Sequence, residues 1–214
     1  MTLINLFSVA QSMASLRRYS QTTMAAPESV LEHSGFVVLL CYLIGLELNS
    51  VAEDVVEEIT MGELLSRAIV HDMEEIIVGD VASPTKYLNV ETIVLFEKLK
   101  AMGIKKVIAG LHLSEHAADK LDHDHTNAKL GRSGFIVSLA DRAAVVYKLW
   151  DECLIRHNYT MVKYAMDLRA RGLEQLRAGI IDFNKAQSFY LHSLVSNMSE
   201  VLAAVAAKNG DKDV

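Results

Sequence analysis

The segment 65–87 constrains the fold most, because it places ionisable side chains inside an apolar helical run. His71, Asp72, Glu75 and Asp80 stand there among isoleucine, valine and methionine residues. A buried charge without a partner is costly, so each of these groups needs one. On a continuous helix His71, Asp72 and Glu75 share one face. A divalent cation would pair with all three. Alternatively, the three residues lie on the solvent-exposed side of an ordinary amphipathic helix, where no ion is needed.

The rest of the chain has a helical composition. Its 214 residues include two prolines and eleven glycines, and 51% of them are apolar. Few helix breakers and many apolar residues favour a helical domain with a sizeable core. Helical periodicity predicts helices at 3–16, 27–48, 60–79, 90–102, 104–111, 114–121, 130–156, 158–178 and 184–207. The predicted fold class is all-α: a single-domain helical bundle over residues 1–207, followed by a charged, disordered tail at 208–214.

Several helix ends have recognisable signals. Pro27 is expected in the first turn of the second helix. Thr60 and Glu63 predict a capping box, and Gly79 ends that helix. The pair Ser83-Pro84 favours an extended or turned segment after it. Asp182 or Asn184 is expected to cap the last helix.

Charge and cysteine content limit the partners. The net charge of −6 offers no general attraction to nucleic acid or to an anionic membrane. Cys41 and Cys153 lie in apolar helical patterns, which predicts buried free thiols in a reducing compartment. The apolar run 36–46 is too short to span a bilayer.

The first 27 residues lack acids and carry two arginines. A mitochondrial transit peptide has that composition too, but residues 3–16 also have the pattern of an amphipathic core helix.

Two further residues extend the possible metal site. His33 precedes the apolar run of the second helix, and Asp141 stands in an Ala- and Val-rich helix. Taken singly, His33 is explained by a hydrogen bond to a backbone carbonyl, and Asp141 by an ion pair with Arg142 or another cation. Taken with His71 and Asp72, they complete a set of two imidazoles and two carboxylates.

This combined pattern resembles the HD-domain metal-dependent phosphohydrolases, in which His, His-Asp and Asp from three helices bind one divalent ion. The closer resemblance is to their 5′-deoxynucleotidase group, and it covers residues 3–160. The matching motifs are Arg18-Tyr19, fifteen residues before His33; Glu32-His33-Ser34; His71-Asp72 with Glu75 and Gly79-Asp80; Ser83-Pro84-x-Lys86-Tyr87; and Asp141 with Lys148 and Glu152.

The resemblance implies a role for each motif. The metal ligands would be His33, His71, Asp72 and Asp141, a donor set suited to one Co, Mn, Zn or Fe ion. Glu75 would be the general base, unless it only holds His71 or His33 in place, and Asp80 is the other candidate for this proton transfer. The substrate-binding residues would be Arg18, Tyr19, Asp80, Ser83 and Lys86. Arg18 and Lys86 would bind phosphate, Tyr19 would lie on the base or sugar, and Asp80 would bond the 3′-hydroxyl.

The predicted activity is removal of the 5′-phosphate from 2′-deoxynucleoside monophosphates. The alternatives are a triphosphohydrolase acting on a deoxynucleotide such as dATP, and a non-catalytic helical module stabilised by metal. Arg18-Tyr19 and the segment 83–86 distinguish the chain from hydrolases of (p)ppGpp or cyclic nucleotides. The resemblance further implies a cytoplasmic enzyme of a bacterium or a phage, and a homo-oligomer for which the apolar helix 184–207 is a candidate interface.

The sequence departs from the group at three places. Tyr19 stands where bacterial members have Trp, Ser138 stands where they have Lys, and the segment 104–133 does not match closely. Lys129 and Arg132 follow a cluster of histidines and aspartates at 112–125. These two cations are candidates to replace the missing lysine or to bind a longer phosphate chain. The cluster itself is a candidate second metal site, although a wet helix connection explains it as well.

Overall fold

The computed structural model describes residues 2–81, 83–86 and 88–208, without the side chains of Ser83 and Pro84. Over these ranges the chain is helical apart from turns and loops, with an isolated β-bridge between Arg17 and Ser29, so the all-α prediction is confirmed. The helices are α1 Leu3–Ser15, α2 Val30–Ser50, α3 Met61–Val70, α4 Glu75–Val78, α5 Ser83–Lys86, α6 Val90–Leu111, α7 Glu115–Thr126, α8 Gly131–Trp150, α9 Val162–Asp167, α10 Leu173–Ala178 and α11 Lys185–Ala207. Residues 209–214 of the predicted tail, and Tyr87 of the predicted motif, lie outside the described residues.

Helix α2 is the centre of the bundle. It packs against α1, α3 and α8, and α11 closes the other side of α8 together with α9. Val37, Cys41 and Leu48 of α2 and Leu139 and Leu149 of α8 have almost no exposed surface. This apolar contact between α2 and α8 fixes the two helices that carry His33 and Asp141.

Helix α2 begins later than the sequence predicts. Ser29 is its N-cap, and a capping box joins Ser29 to Glu32: the Glu32 N–H donates to Ser29 Oγ at 3.1 Å, and the Ser29 N–H donates to Glu32 Oε2 at 2.7 Å. Pro27 therefore lies before the helix, not in its first turn. The predicted capping box at Thr60 was wrong, because Thr60 caps α3 without any side-chain hydrogen bond. Asn184 does cap α11, with its side chain accepting from the Gln187 N–H.

Two connections differ from the prediction. Ser83–Lys86 forms a single helical turn rather than an extended segment, which Pro84 tolerates because the first turn of a helix leaves its N–H groups unbonded. The predicted break between 102 and 104 is absent, and α6 runs continuously over Gly103. A Cβ atom on Gly103 would lie 3.0 Å from Val78 Cγ2 and 3.2 Å from Glu74 Cβ. Gly103 thus allows α6 to approach α4, the helix that follows the His71-Asp72 pair.

Helices α1 and α2 both present apolar side chains to solvent. In α1 only Met13 is buried, so this helix forms as predicted but covers the bundle from outside instead of entering its core. Helix α2 is 21 residues long with a mean hydropathy of 1.6, and among the described residues it is the one helix long and apolar enough to cross a membrane. The sequence prediction considered only the run 36–46 of this helix and interpreted it as a core helix. Because α2 carries His33 and packs on three helices, we interpret it as a core helix.

Candidate active site

A tight turn after α3 carries His71 and Asp72. The sequence predicts one helix across this region, but α3 ends at Val70 and α4 begins at Glu75. In between, the hydrogen bonds span three residues rather than four: the Met73 N–H donates to the Val70 carbonyl and the Glu75 N–H to the Asp72 carbonyl, both at 3.1 Å. The narrower winding brings the His71 ring and the Asp72 carboxylate to the same side, with His71 Nε2 lying 3.2 Å from Asp72 Oδ2.

Three helical segments bring four possible ligands together. One donor atom each from His33, His71, Asp72 and Asp141 lies within 4.8 Å of the others. His33 Nε2 is 3.2 Å from Asp141 Oδ1 and 3.6 Å from Asp72 Oδ2. Within the described ranges this is the one such cluster of histidine, cysteine and acidic side chains. The sequence prediction thus named all the members of a compact group from α2, the turn and α8.

The hydrogen bonds of the two imidazoles suit a metal ion. His71 Nδ1 donates to the Ala68 carbonyl oxygen at 2.8 Å, which leaves the lone pair of Nε2 facing the cluster. The Nε2 atoms of His33 and His71 are both buried and have no hydrogen-bond partner. A divalent ion of borderline character accepts two imidazole nitrogens and two carboxylate oxygens, so the four residues fit such an ion.

The two carboxylates of the cluster are held in the ionised form. Burial raises the pKa of Asp72, but attraction to the protonated form of the His71 ring outweighs this and holds that pKa well below its usual range. Burial also opposes ionisation of Asp141, and the Lys129 ammonium lowers its pKa strongly. Ionised carboxylates are the form that binds a metal.

Glu75 is the exceptional acid of the site. Its side chain is buried, and Oε2 has no hydrogen-bond partner. Burial, followed by the negative charge of Asp72, raises the pKa of Glu75 to about 9. A buried acid with a strongly shifted pKa beside a possible metal site is a candidate for proton transfer, and the positive charge of an ion there would favour the ionised form that accepts a proton.

Three cations surround the cluster, each paired with a different carboxylate. Arg18 Nη1 donates to Asp72 Oδ2 at 3.1 Å, and Lys86 Nζ lies 3.5 Å from Glu75 Oε1. Lys129 Nζ donates to Asp141 Oδ2 at 2.6 Å. Arg18 and Lys86 were predicted as phosphate-binding residues, and both reach the site. Arg18 is itself buried and also lies 3.5 Å from Glu28, so it is not the surface residue that its charge alone would indicate.

Tyr19 and Asp80 form part of the wall of the site. The Tyr19 N–H donates to Asp80 Oδ2 at 2.7 Å, and this bond holds Tyr19 at a φ of 56°. The Tyr19 ring packs edge-on against Tyr164, with centroids 6.4 Å apart, and its hydroxyl is buried without a partner. Each acid has one oxygen engaged, Glu75 Oε1 with Lys86 and Asp80 Oδ2 with Tyr19, but Glu75 is buried with its second oxygen unpartnered, whereas Asp80 is partly exposed. This difference favours Glu75 over Asp80 as the base.

A buried anchor fixes the loop that carries Arg18 and Tyr19. Glu152 lies in a π-helical turn, Asp151–Ile155, that continues α8, and its carboxylate accepts the N–H groups of Ala25 and Ala26, each at 2.8 Å. Lys148 Nζ lies 3.0 Å from Glu152 Oε1 and also donates to the Ala26 carbonyl. The Lys148 and Glu152 motif was recognised in the sequence, but only the structure assigns it this contact.

We expect Glu152→Gln to destabilise the fold by about 3 kcal/mol, the cost of breaking a buried charge pair. Burial opposes ionisation of Glu152, yet the Ala25 N–H and the other donors lower its pKa to about 2. A lowered folded-state pKa contributes stability above the ordinary carboxyl pKa, and that stability is lost as the pH falls towards 2. Urea unfolding at pH 7 and at pH 3 measures this. The gap between wild type and variant should be smaller at pH 3, and an equal gap at both values would contradict the prediction.

Some predicted residues do not reach the cluster. Arg132 donates to the carbonyls of Val56 and Glu57 and to Gln187 Oε1. It therefore connects segments that are distant from one another in the sequence. In the 112–125 segment, His125 Nε2 bonds Glu74 Oε2 at 2.8 Å and Asp124 pairs with Lys120. The described residues contain no second group of histidine, cysteine and acidic side chains that could hold a metal ion. The side chain of Ser83 is not described.

Known proteins share this architecture over nearly the whole chain. The family model described as 5′-deoxynucleotidase YfbR-like matches residues 5–183. The chain belongs to this family. It is similar to the 5′-deoxynucleotidase of Shewanella oneidensis, with 26% identity over 193 residues that cover 90% of this chain and 85% of the relative. As a member of the family, it is a metal-dependent nucleotide phosphohydrolase.

Solved structures agree with the fold. An HD-domain phosphohydrolase from Listeria innocua is similar with a TM-score of 0.70 and 19% identity, covering 97% of this chain and 100% of the other. A cyanophage S-2L HD phosphohydrolase, solved with dA and one catalytic Zn²⁺ ion, has a TM-score of 0.58 and 18% identity, covering 92% and 96% of the two chains. The predicted HD-type helical fold is therefore confirmed.

Proposed function

We propose that this family member removes the 5′-phosphate from 2′-deoxynucleoside monophosphates, using one divalent ion held by His33, His71, Asp72 and Asp141. The observation that carries the proposal is the pair of buried imidazole nitrogens without partners, directed at two ionised carboxylates. The cyanophage relative, described with dA and one Zn²⁺, supports a deoxynucleoside ligand and keeps zinc among the candidate metals Co, Mn, Zn and Fe.

The chain's own side chains have separate tasks in this reaction. A divalent ion at the cluster supplies Lewis acidity towards a phosphoryl oxygen and lowers the pKa of the attacking water. Arg18 and Lys86 bind the phosphate, because both lie beside the cluster and carry fixed positive charge. Glu75 Oε2 accepts a proton from the water, as the buried carboxylate oxygen with no other partner. Tyr19 and Asp80 form the wall beside the nucleoside.

A monophosphate substrate fits the charge distribution better than a triphosphate. The two extra phosphates would need cations beyond those at the cluster. Of the two candidates, Lys129 bonds Asp141 next to the proposed ion, and Arg132 is occupied by carbonyl groups and Gln187. Lys129 is thus held beside the phosphate that is hydrolysed and Arg132 is held away from the cluster, so neither supplies a cation for a distant phosphate. This supports hydrolysis of one phosphate over release of triphosphate from dATP.

A non-catalytic metal-stabilised module does not account for Glu75 and Arg18. A purely structural ion would not need a buried carboxylate oxygen without a partner, which costs stability. It would not need a buried guanidinium either. Both groups are explained if a charged substrate and a water molecule enter the site.

The product of hydrolysis tests the proposal. We expect the protein, loaded in turn with Mn, Co, Zn or Fe, to release inorganic phosphate from deoxynucleoside monophosphates and to leave deoxynucleoside triphosphates intact. Ribonucleoside monophosphates should react more slowly. Chromatography of the nucleoside products together with a phosphate assay distinguishes the outcomes. Intact triphosphate released from dATP would establish the alternative activity instead, and the absence of hydrolysis with every metal and nucleotide would contradict both.

The other expectations about partners stay predictions. The net charge of −6 supports the absence of a nucleic-acid partner.

For a homo-oligomer, α2 is a better candidate surface than the predicted α11. Leu39, Tyr42, Leu43 and Leu46 form an exposed stripe on α2, whereas α11 turns its apolar side to the core and exposes one large apolar residue, Phe189. The proposal of a cytoplasmic location rests on Cys41 and Cys153, two buried cysteines that are not joined in a disulfide.

A further inference from the structure

Lys129 lies at the cluster although it belongs to the segment 104–133, which does not match the deoxynucleotidase group closely. Its ammonium donates to Asp141 Oδ2 at 2.6 Å, while Asp141 Oδ1 faces His33 Nε2 at 3.2 Å. One oxygen of Asp141 thus points into the cluster and the other is held by Lys129. An ammonium group has three donors, and the Lys129 side chain is 43% exposed, so two donors remain available on the solvent side.

The loop before α8 is built to hold Lys129 in this position. Gly131 has a φ of 66°, in the left-handed region that favours glycine. A Cβ atom on Gly134 would lie 2.3 Å from the Lys129 carbonyl carbon, so only glycine lets α8 pack against this backbone. Arg67 Nη1 donates to the Leu130 carbonyl at 2.7 Å, and Arg67 is itself paired with Glu63 at 2.8 Å. The Lys129 backbone is therefore fixed by contacts with α3 and α8.

The position of Lys129 relates to the lysine that this chain lacks. Ser138 stands three residues before Asp141, where the deoxynucleotidase group has lysine, and positions three apart share one face of α8. A serine hydroxyl brings no charge to the site. Lys129 brings a positive charge to the same carboxylate from the preceding loop, in the segment where the sequence departs from the group.

We propose that Lys129 is a catalytic residue of this enzyme, whose ammonium orients Asp141 and binds the phosphoryl group that is hydrolysed. The inference rests on the proposed function. Lys129 contacts a proposed metal ligand directly, so it acts at the reacting phosphate and not at a phosphate further along the substrate. With Arg18 and Lys86, it surrounds the developing negative charge with fixed cations, which favours the transition state over the bound substrate.

The test compares Lys129→Met with Lys106→Met, an exposed lysine on α6. We expect Lys129→Met to lower kcat/KM for a deoxynucleoside monophosphate about 100-fold, as when one donor to the transition-state charge is removed. Titration calorimetry of the Mn-saturated protein with inorganic phosphate should show affinity reduced about tenfold or more, the value of a charged hydrogen bond. Lys106→Met should match wild type in both measurements.

A second substitution tests whether the positive charge at Lys129 is what binds phosphate. Adding Ser138→Lys to Lys129→Met should restore most of the phosphate affinity, because a lysine at 138 starts one turn from Asp141 on the same helix. The inference is overturned if Lys129→Met binds phosphate as wild type does, if it weakens only the metal affinity, or if the double variant recovers nothing. If wild type hydrolyses no nucleotide, the proposed function fails, while the phosphate titrations still test Lys129.

Discussion

Replacing Asp72 or Asp141 with alanine should remove both the bound metal and the activity. Each carboxylate supplies one of four donors within 4.8 Å, so either substitution leaves three donors and a single negative charge to hold a divalent ion. Loss of a residue that only supports a metal ligand lowers activity by up to about 100-fold. We expect the loss of a ligand itself to lower kcat/KM by more than that. Metal analysis of the purified protein should show far less than one ion per chain.

The exposed carboxylate of Asp182 provides the control. Asp182→Asn should keep the metal and the activity of wild type, because this residue lies in the turn before α11. Loss of one cluster carboxylate also removes an ion pair with Arg18 or Lys129, so circular dichroism should establish that each variant folds. A folded Asp72→Ala or Asp141→Ala protein with full metal occupancy would disprove the ligand assignment.

Glu75→Gln should keep the metal and lose most of the turnover. Glutamine preserves the shape of the side chain but cannot accept the proton of the attacking water. General-base catalysis contributes about 10²- to 10⁴-fold, so we expect kcat to fall within that range. The thermal midpoint should not fall, because the substitution removes a buried carboxylate whose Oε2 atom has no hydrogen-bond partner.

The combination of these measurements separates two roles for Glu75. A base gives reduced kcat with metal content and midpoint unchanged, and Glu115→Gln on exposed α7 should leave all three at wild-type values. If Glu75→Gln instead loses metal in proportion to activity, Glu75 supports His71 or His33 and the proton acceptor lies elsewhere. Asp80 is then the next candidate, even though one of its oxygens bonds Tyr19.

Sequence patterns predict most of the helices because helix formation depends on local composition and periodicity. The errors fall where tertiary contacts override local preference. Gly103 resembles a helix break, but it lies inside α6 because that helix packs closely on α4. The segment around His71 has the pattern of a regular helix, but its hydrogen bonds change to a three-residue span. A periodicity of apolar residues cannot reveal such a change, since both windings bury nearly the same side chains.

The sequence by itself determined the four cluster residues. Two histidines and two aspartates inside apolar helices need a common partner, and a spacing that resembles a known family identified them without any coordinates. Arg18 and Lys86 were recognised in the same way, as cations within matching motifs. The chemical class of the enzyme follows from these residue types, because each side chain keeps its chemistry wherever the fold positions it.

Only the tertiary structure decided which partner each charge has. Lys129 and Arg132 are close in sequence and alike in charge, yet Lys129 bonds Asp141 and Arg132 joins distant loops. Glu152 contacts Ala25 and Ala26, which are more than a hundred residues earlier in the chain. Asp80 contacts the Tyr19 backbone, and Glu75 keeps a free oxygen. Pairings of this kind depend on how helices pack, and a hydrogen bond forms only over a few ångströms, so local sequence carries little information about them.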